Sequence, residues 1–349
     1  MKIQGLRISI ISFTDKGDAL NRRIADILSE NKVTSSLKSQ RTKSLKEWTR
    51  EAFAGSDAII FIGAVGIAVR VIAPYIISKD KDPAVIVCDE LGKYTISLLS
   101  GHIGGANNLT SYISEMTGSL PIITTATDLN NVWAVDTWAK EKGYHIEPIT
   151  NIKCISGTLL KNESVGIMSE MYEAKDEIFS KGDVDDNTFN NLKWNDTEPD
   201  SGIYISPYMK NPYKNTLHLI PKCIVVGVGS RKNADSQALI ELVDKVFKEE
   251  NISLFSVKEI ATIDIKKDEP SVLALRDYLG VPLVCYSAEE LNEVQGSFTS
   301  SDFVKNVTGT DNVCERSAVK SSENGRLICP KTKGNAVTVA LAATNRNED

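Results

Sequence analysis

A glycine-rich segment containing a histidine is the part of the sequence best suited to chemistry. It reads Leu99-Ser-Gly-His-Ile-Gly-Gly-Ala-Asn-Asn108 and lies between an apolar strand and a helix rich in small polar residues. Glycines let the backbone approach a ligand, and a helix start offers N–H groups to an anion. His102 in this turn can act as an acid or base near neutral pH. Alternatively, the glycines only permit a tight turn and His102 caps the helix.

Two other glycine turns place a cation near the carboxyl end of a strand, where ligands bind in open α/β sheets. Gly63-Ala-Val-Gly66 is followed by Arg70, and Gly227-Val-Gly229 is followed by Arg231. Neither turn is a complete GxGxxG or a P-loop, so a nucleotide-binding protein is disfavoured. The alternative for both is a close-packed turn with a solvated arginine.

Two more charged features are candidates for a role in the site. Glu90 lies in the predicted hairpin 89–93 and could serve as a general base at the same sheet edge as His102, although hairpin carboxylates are more often only solvated. Residues 305–346 carry a net charge of +4, and Lys331 is among their cations. An anionic ligand would be drawn to such a segment, whereas the alternative is an ordinary surface of mixed charge.

Composition excludes several classes of protein. The 349 residues carry a net charge of −6, with a pI near 5.4, which argues against a general nucleic-acid binder. An apolar run long enough for a membrane span and the pattern of a signal peptide are both missing, so a cytoplasmic location is expected. Six scattered cysteines without a CxxC motif predict structural thiols and no metal site. Homo-oligomerisation is left open.

Strands alternating with amphipathic helices predict an α/β protein of several domains. We expect mixed or parallel sheets flanked by helices in the N- and C-terminal domains, residues 1–147 and 222–349, and a smaller middle domain, 148–221. The runs Ala84–Cys88 and Tyr94–Leu98 flank a glycine turn and predict an antiparallel pair. Between Glu170 and Asp200 the net charge is −7, which predicts a solvated, loop-rich insert.

The motifs together resemble a known family, and the resemblance extends over nearly the whole chain. Gly63-Ala-Val-Gly-Ile-Ala-Val-Arg70, Asp82-Pro-Ala-Val-Ile-Val-Cys-Asp-Glu90 and Leu98-Leu-Ser-Gly-His-Ile-Gly-Gly-Ala-Asn107 look like the N-terminal domain of the cobalt-precorrin-5A hydrolases of anaerobic cobalamin (vitamin B12) biosynthesis. Val226-Gly-Val-Gly-Ser-Arg231 and Val313-Cys-Glu-Arg-Ser-Ala318 are similar to the C-terminal domain of that family. Ser230 is a departure, because the family often has cysteine there.

This resemblance implies opening of a δ-lactone on a cobalt corrinoid by water and release of acetaldehyde, giving cobalt-precorrin-5B. Cobalt belongs to the substrate, so no cofactor is implied, and the expected partner is this small molecule, without nucleic acid or membrane. We expect catalysis by His102 and Glu90, with oxyanion stabilisation by the amides of Gly104 and Gly105. The expected substrate-binding residues are Arg70, Gly101, Gly104, Gly105, Asn107, Arg231 and Lys331. The alternative function is a non-catalytic tetrapyrrole-binding or handover protein of the same pathway.

Overall fold

The computed structural model describes residues 3–78, 81–130, 132–172, 174–179 and 184–344, without the side chains of 127 and 128. Within these ranges the chain forms three sheets flanked by helices. The described residues divide into two compact units. One unit is built from 3–142, 156–163 and 184–190, and the other from 143–155, 164–179 and 191–344. The predicted multi-domain α/β fold with mixed sheets is confirmed.

The N-terminal sheet has six strands in the order β2-β1-β3-β4-β5-β6. The strands are β1 (Arg7–Ser12), β2 (Lys32–Ser36), β3 (Ala58–Ile62), β4 (Ala84–Cys88), β5 (Tyr94–Leu99) and β6 (Leu120–Ile122). The helices are α1 (Asp15–Ile27), α2 (Leu45–Gly55), α3 (Val65–Ile72), α4 (Ala106–Thr117), α5 (Ala126–Leu129) and α6 (Val135–Glu141). Side chains of β1, β3 and β4 are buried on both faces of the sheet, as continuous apolar runs predict. Ile8 and Ile60 pack on the side of α1 and α4, whereas Ile11 and Phe61 pack on the side of α2 and α3.

One antiparallel strand decides which loops share an edge of this sheet. Strand β5 runs against β4, with Val85 opposite Leu99 and Cys88 opposite Thr95, while the other pairs are parallel. The hairpin 89–93 therefore lies at the carboxyl ends of β3 and β4. The loop that follows β5 lies at their amino ends. The predicted antiparallel pair is confirmed, and its consequence for the site is described below.

A buried carboxylate fixes the turn after β2 to the end of β1. Asp18 on α1 is 3% exposed and accepts hydrogen bonds from the Ser12 hydroxyl at 2.6 Å and the Lys38 N–H at 2.8 Å. The amide and hydroxyl of Ser39 also donate to it, at 3.2 and 3.0 Å. Burial acts to raise the pKa of the Asp18 carboxyl, but the four hydrogen bonds outweigh burial and lower the pKa from 3.8 to about 2.

The Asp18→Asn variant is expected to unfold more easily at neutral pH by about 1 to 2 kcal/mol, because the lowered pKa measures the preference of the fold for the charged carboxylate. This stability is fully present above pH 3.8 and is lost as the pH falls towards 2. Urea unfolding of wild type and variant should therefore converge over that range. Asp15→Asn, at a carboxylate whose side chain is 87% exposed, serves as the control and should change stability little. A constant difference between Asp18→Asn and wild type down to pH 2 would contradict this account.

The second sheet has the order β7-β11-β10-β8-β9. Its strands are β7 (His145–Glu147), β8 (Val165–Ser169), β9 (Leu192–Trp194), β10 (Ser201–Ile205) and β11 (Asn215–Ile220). The described residues of this part of the chain also form the helices α7 (Ile152–Leu160) and α8 (Asp186–Asn191). Because β7 pairs with β11, this sheet begins three residues before the predicted boundary at Pro148. The acidic stretch contains α8 and β9, and its residues 173 and 180–183 lie outside the described ranges.

The third sheet has the order β14-β13-β12-β16-β15. Strands β12, β13 and β14 are parallel to one another, and β16 runs antiparallel to both of its neighbours, β12 and β15. The strands are β12 (Ile224–Ser230), β13 (Val257–Ile263), β14 (Leu283–Tyr286), β15 (Arg326–Lys333) and β16 (Val337–Ala343). The helices are α9 (Ser236–Glu249), α10 (Pro270–Leu279), α11 (Ala288–Asn292), α12 (Asp302–Thr308) and α13 (Cys314–Ser321). A Cβ on Gly227 would lie 1.9 Å from the Cys314 carbonyl oxygen, so α13 packs against β12 at a distance that only glycine permits.

Candidate active site

The loop of residues 100–105, here called the His102 loop, connects β5 to α4 in a tight backbone conformation. Ser100 has a φ of 57° and Gly105 a φ of 85°. The N–H of Ala106 donates to the Ser100 carbonyl at 3.1 Å, and that of Asn107 donates to the Gly101 carbonyl at 3.0 Å. The Gly105 N–H donates to the His102 carbonyl at 2.8 Å. The first amides of α4 are therefore used to close the loop, and a Gly105 amide that bound an oxyanion would first have to leave His102.

Two glycines of the His102 loop are required by its packing. A Cβ on Gly104 would lie 2.3 Å from the Ser100 Cβ and 2.6 Å from the Ser100 carbonyl oxygen. A Cβ on Gly101 would lie 2.7 Å from the Asn107 Oδ1 atom. Distances below 3 Å do not occur between unbonded carbon and its neighbours without rearrangement. These contacts support the interpretation that the glycines permit a tight strand-to-helix turn. A turn of this kind can still bind a ligand through its backbone.

Asn107 supports the loop from inside the protein. Its side chain is almost buried, at 4% exposure. Oδ1 accepts a hydrogen bond from the Ser97 hydroxyl at 2.6 Å, and Nδ2 donates to the Thr125 hydroxyl at 3.0 Å. Asn107 therefore links β5, α4 and the segment after β6. A direct substrate contact by this side chain would require breaking these bonds, so the geometry favours a positioning role.

A carboxylate on α6 faces the histidine of the loop. His102 Nδ1 lies 3.6 Å from Asp136 Oδ1, and the two side chains are 16% and 4% exposed. Lys140, one turn further along α6, donates from Nζ to the Ile103 carbonyl at 2.6 Å. Two contacts thus hold α6 against the His102 loop. A carboxylate beside Nδ1 favours the tautomer with its proton on that nitrogen and makes Nε2 the basic atom, the arrangement of a general base.

Glu90 does not share an edge of the sheet with His102, and that prediction is wrong. Glu90 follows β4 in the hairpin, whereas His102 follows β5, which runs in the opposite direction. The five residues of β4 alone separate the two edges by about 13 Å. A second catalytic role for Glu90 beside His102 is therefore not compatible with the strand directions.

Arg70 and helix α4, which follows the His102 loop, lie on opposite faces of the N-terminal sheet. It is exposed on α3, which follows the carboxyl end of β3 and packs with α2. Helix α4, in contrast, packs on the face of α1. The structure therefore does not bring Arg70 and His102 together on one face.

Arg231 directly follows β12 in the second unit and is exposed beside an aromatic ring. Its N–H donates to the Ala336 carbonyl at 2.9 Å, and its guanidinium lies 5.8 Å from the centre of the Phe303 ring. Phe303, on α12, is 65% exposed. The neighbouring Ser230 hydroxyl is buried and has no hydrogen-bond partner among the described residues. This end of β12 thus presents a cation and an exposed aromatic face, groups that bind a carboxylate and an apolar ring.

The backbone of Lys331 is held by a buried carboxylate that the sequence did not reveal. Glu315 on α13 is 1% exposed and accepts the Lys331 N–H at 2.7 Å. The amide and hydroxyl of Thr299 donate to the same carboxylate at 2.7 and 2.9 Å, and Asn312 Nδ2 donates at 2.6 Å. Glu315 therefore joins β15, α13 and the segment before α12. The half-buried Lys331 side chain extends from a backbone fixed by this network.

The cysteines behave as core residues. All six are free, and Cys88, Cys223, Cys314 and Cys329 are buried. Burial raises the pKa of the Cys88 and Cys223 thiols to about 12. The described residues contain no group of three or more His, Cys, Asp or Glu side chains arranged to hold a metal ion. In the same part of the chain, the helices are too short or too polar to cross a membrane.

Family models of cobalamin-biosynthesis proteins match most of the chain. Three family models match successive segments: the cobalamin synthesis G N-terminal model matches residues 47–128, the cobalamin biosynthesis central region matches 133–221, and the cobalamin synthesis G C-terminus matches 224–342. The three matches define a protein of cobalamin biosynthesis with an N-terminal, a central and a C-terminal region.

Similar proteins narrow the assignment. The cobalt-precorrin-5A hydrolase of Salmonella typhimurium is 32% identical over 97% of this chain and 98% of its own. That of Priestia megaterium is 32% identical over 84% of this chain and 79% of its own. The Protein CobE of Sinorhizobium sp is 28% identical over 36% of this chain and 84% of its own. The chain belongs to the cobalt-precorrin-5A hydrolase family, as its motifs predicted.

Proposed function

We propose that the protein hydrolyses the δ-lactone of cobalt-precorrin-5A and releases acetaldehyde, giving cobalt-precorrin-5B in anaerobic cobalamin biosynthesis. The observation that carries this proposal for the present chain is the His102–Asp136 pair in a glycine-rich loop at one edge of the N-terminal sheet. The family relationship supplies the substrate, and the pair supplies an oriented acid–base group of the kind that hydrolysis needs.

In the first step, a water molecule adds to the lactone carbonyl. His102 Nε2 takes a proton from this water while Asp136 stabilises the imidazolium that forms. The negative charge that develops on the carbonyl oxygen requires a hydrogen-bond donor, and we assign this role to the Gly104 amide, since the Gly105 amide already binds His102. Cleavage of the C–O bond then gives a carboxylic acid, which releases its remaining proton to solvent, and an alkoxide, which takes up the proton from His102.

In the second step, the newly freed hydroxyl loses its proton to the imidazole. The bond between its carbon and the macrocycle breaks, acetaldehyde leaves, and the electron pair passes to the macrocycle, which is protonated in turn. Over the two steps one water is consumed and one acetaldehyde is released. The carbon–carbon bond is broken without any net oxidation or reduction of the substrate. This balance needs no redox cofactor, and we propose that the cobalt belongs to the substrate alone. Arg231 and Lys331 are proposed to bind substrate carboxylates in their own unit.

Purified protein treated with a metal chelator is expected to convert cobalt-precorrin-5A at the same rate as untreated protein. Acetaldehyde, trapped as a hydrazone, should appear in equal amount to the ring-opened corrinoid seen by mass spectrometry. Turnover that is lost with the chelator and restored only by zinc would contradict the proposed mechanism.

ATP, NAD and NADP should not raise the melting temperature of the protein, because the chain has no complete dinucleotide or P-loop motif.

The second candidate is a binding or handover protein for tetrapyrroles. The similarity of about a third of the chain to Protein CobE favours it, because this region also occurs in a separate, smaller protein. Binding of the corrinoid without acetaldehyde release would establish this alternative, whereas turnover would exclude it.

A further inference from the structure

Strands β1 and β2 form a sheet face that is polar where a core would be expected. Alternate residues of a strand point to the same face, and Arg7 pairs with Lys32 while Ser9 pairs with Thr34. The intervening residues Ile8 and Ile10 belong to the apolar core on the side of α1 and α4. On the side of α2, the first half of this strand pair therefore presents cations and hydroxyl groups, whereas Ile11 further along β1 belongs to the apolar core.

A cavity of about 520 Å³ lies over this polar face. Its other walls are the segment 40–43 and residues of α2 that include Trp48 and Glu51. We call this cavity the β1–β2 pocket. It is lined by four cationic side chains and one acidic one, namely Arg7, Lys32, Arg41, Lys43 and Glu51. Ser9 and Ser56 also line the wall; their hydroxyl groups share a hydrogen bond at 2.8 Å, which leaves one hydroxyl proton of the pair to donate to a ligand.

Two of the four cations are not neutralised within the described residues. Arg7 pairs with Asp57 at 2.7 Å, and Lys43 pairs with Glu51. Arg41 and Lys32, in contrast, form no ion pair in the part of the chain that the structure describes. Unpaired cations beside hydroxyl donors favour an anion.

Several contacts order the backbone around the pocket and one of its cations. The Arg41 guanidinium lies 5.1 Å from the centre of the Phe13 ring, which limits its movement. The preceding turn is bound to Asp18 through Lys38 and Ser39, as described above. On the other side, the Ser44 and Glu47 side chains cap the start of α2. Preorganised donors bind an anion with a smaller loss of entropy than mobile ones.

We propose that the β1–β2 pocket is a binding site for a compact anion with two or more carboxylate groups. The volume is within the range of small-molecule sites, about 300 to 1,000 Å³, and suits a small polycarboxylate or one acidic arm of a larger molecule. The same chemistry could come from a free polycarboxylic acid or from the acid side chains of the corrinoid. The second case rests on the proposed function, and the first does not.

Calorimetric titration with tricarballylate at low salt tests the site without requiring turnover. Wild-type protein is expected to bind it, and added sodium chloride should weaken the affinity. The double variant Lys32→Gln/Arg41→Gln should raise Kd about tenfold or more, because two charged donors are removed. Arg50→Gln is the matched control: Arg50 is exposed on α2 and does not line the pocket, so Kd should remain unchanged. Arg41→Lys keeps the positive charge. It should retain most of the affinity for tricarballylate if the double variant binds weakly only because it has lost charge.

Enzyme kinetics then distinguish the two sources of carboxylate. If the corrinoid uses the pocket, tricarballylate competes with it and the double variant raises KM while kcat is retained. If a free acid is the ligand, wild-type protein still binds tricarballylate, but the double variant leaves KM for the corrinoid unchanged. Both results support the site, whatever reaction the protein catalyses. Absence of binding at millimolar tricarballylate, or equal Kd in wild type and double variant, would overturn the proposal.

Discussion

Replacing His102 with glutamine is expected to lower turnover by on the order of a hundredfold or more, the usual contribution of a general acid or base. Glutamine keeps a hydrogen-bonding shape but cannot carry the proton that lactone opening transfers. The urea midpoint of unfolding should change little, since the backbone hydrogen bonds that close the His102 loop and the Lys140 bond to the Ile103 carbonyl are retained. Rate and stability are measured on the same preparation.

Two further variants make this result specific. Asp136→Asn leaves the imidazole present but removes the carboxylate 3.6 Å from Nδ1, so we expect a smaller loss of turnover and an altered pH–rate profile. Glu90→Gln, at the opposite edge of the sheet, should retain turnover. If His102→Gln instead gave near-normal turnover in a destabilised protein, His102 would be a structural cap, with a cost of about 1 kcal/mol. Glu90 could not then replace it beside the loop, because β5 separates the two edges.

Glu315→Ala is expected to lower the free energy of unfolding by on the order of 3 kcal/mol, because several buried donors lose a charged acceptor at once. Four hydrogen bonds, from Thr299, Asn312 and Lys331, converge on this carboxylate. Urea denaturation measures the loss. The backbone of Lys331 is also released, so KM for the corrinoid should rise if Lys331 binds its carboxylates.

The matched control for this experiment is Glu241→Ala, which removes an exposed carboxylate from α9 and should change stability by less than about 0.5 kcal/mol. Glu315→Gln keeps the size of the side chain but places an NH2 group against N–H donors, so an intermediate loss is expected. A Glu315→Ala protein as stable as wild type would show that the surrounding donors find other acceptors.

The buried strands and the glycine-rich loop were predictable because their signals are local. The apolar runs at residues 6–13, 57–62 and 84–88 predict β1, β3 and β4, and each of these strands is buried on both faces in the structure. The turn after β5 stood out through its glycines, and two of them meet atoms that only glycine tolerates. In contrast, β2 reads Lys-Val-Thr-Ser-Ser, and this polar edge strand gives no apolar pattern to detect.

The contacts that complete the candidate site are long-range, and the sequence offered no pattern for them. Asp136 is separated from His102 by 34 positions and lies in an ordinary amphipathic helix, so nothing local distinguishes it from a solvated carboxylate. Glu315 appeared only within the motif at residues 313–318, which gives no sign that the carboxylate is buried or which donors it accepts. The wrong prediction for Glu90 has another cause: in an antiparallel pair, the loops before and after the second strand lie at opposite edges of the sheet, so Glu90 and His102 cannot share one.

The reversed direction of β5 has a practical consequence for labelling this protein. The hairpin 89–93 carries Leu91, which is 56% exposed, at the edge of the sheet remote from the His102 loop. Exposed turn tips accept inserted segments better than other positions. A short affinity epitope placed between Leu91 and Gly92 should therefore allow immobilisation on a sensor surface with the edge that carries the His102 loop directed away from that surface.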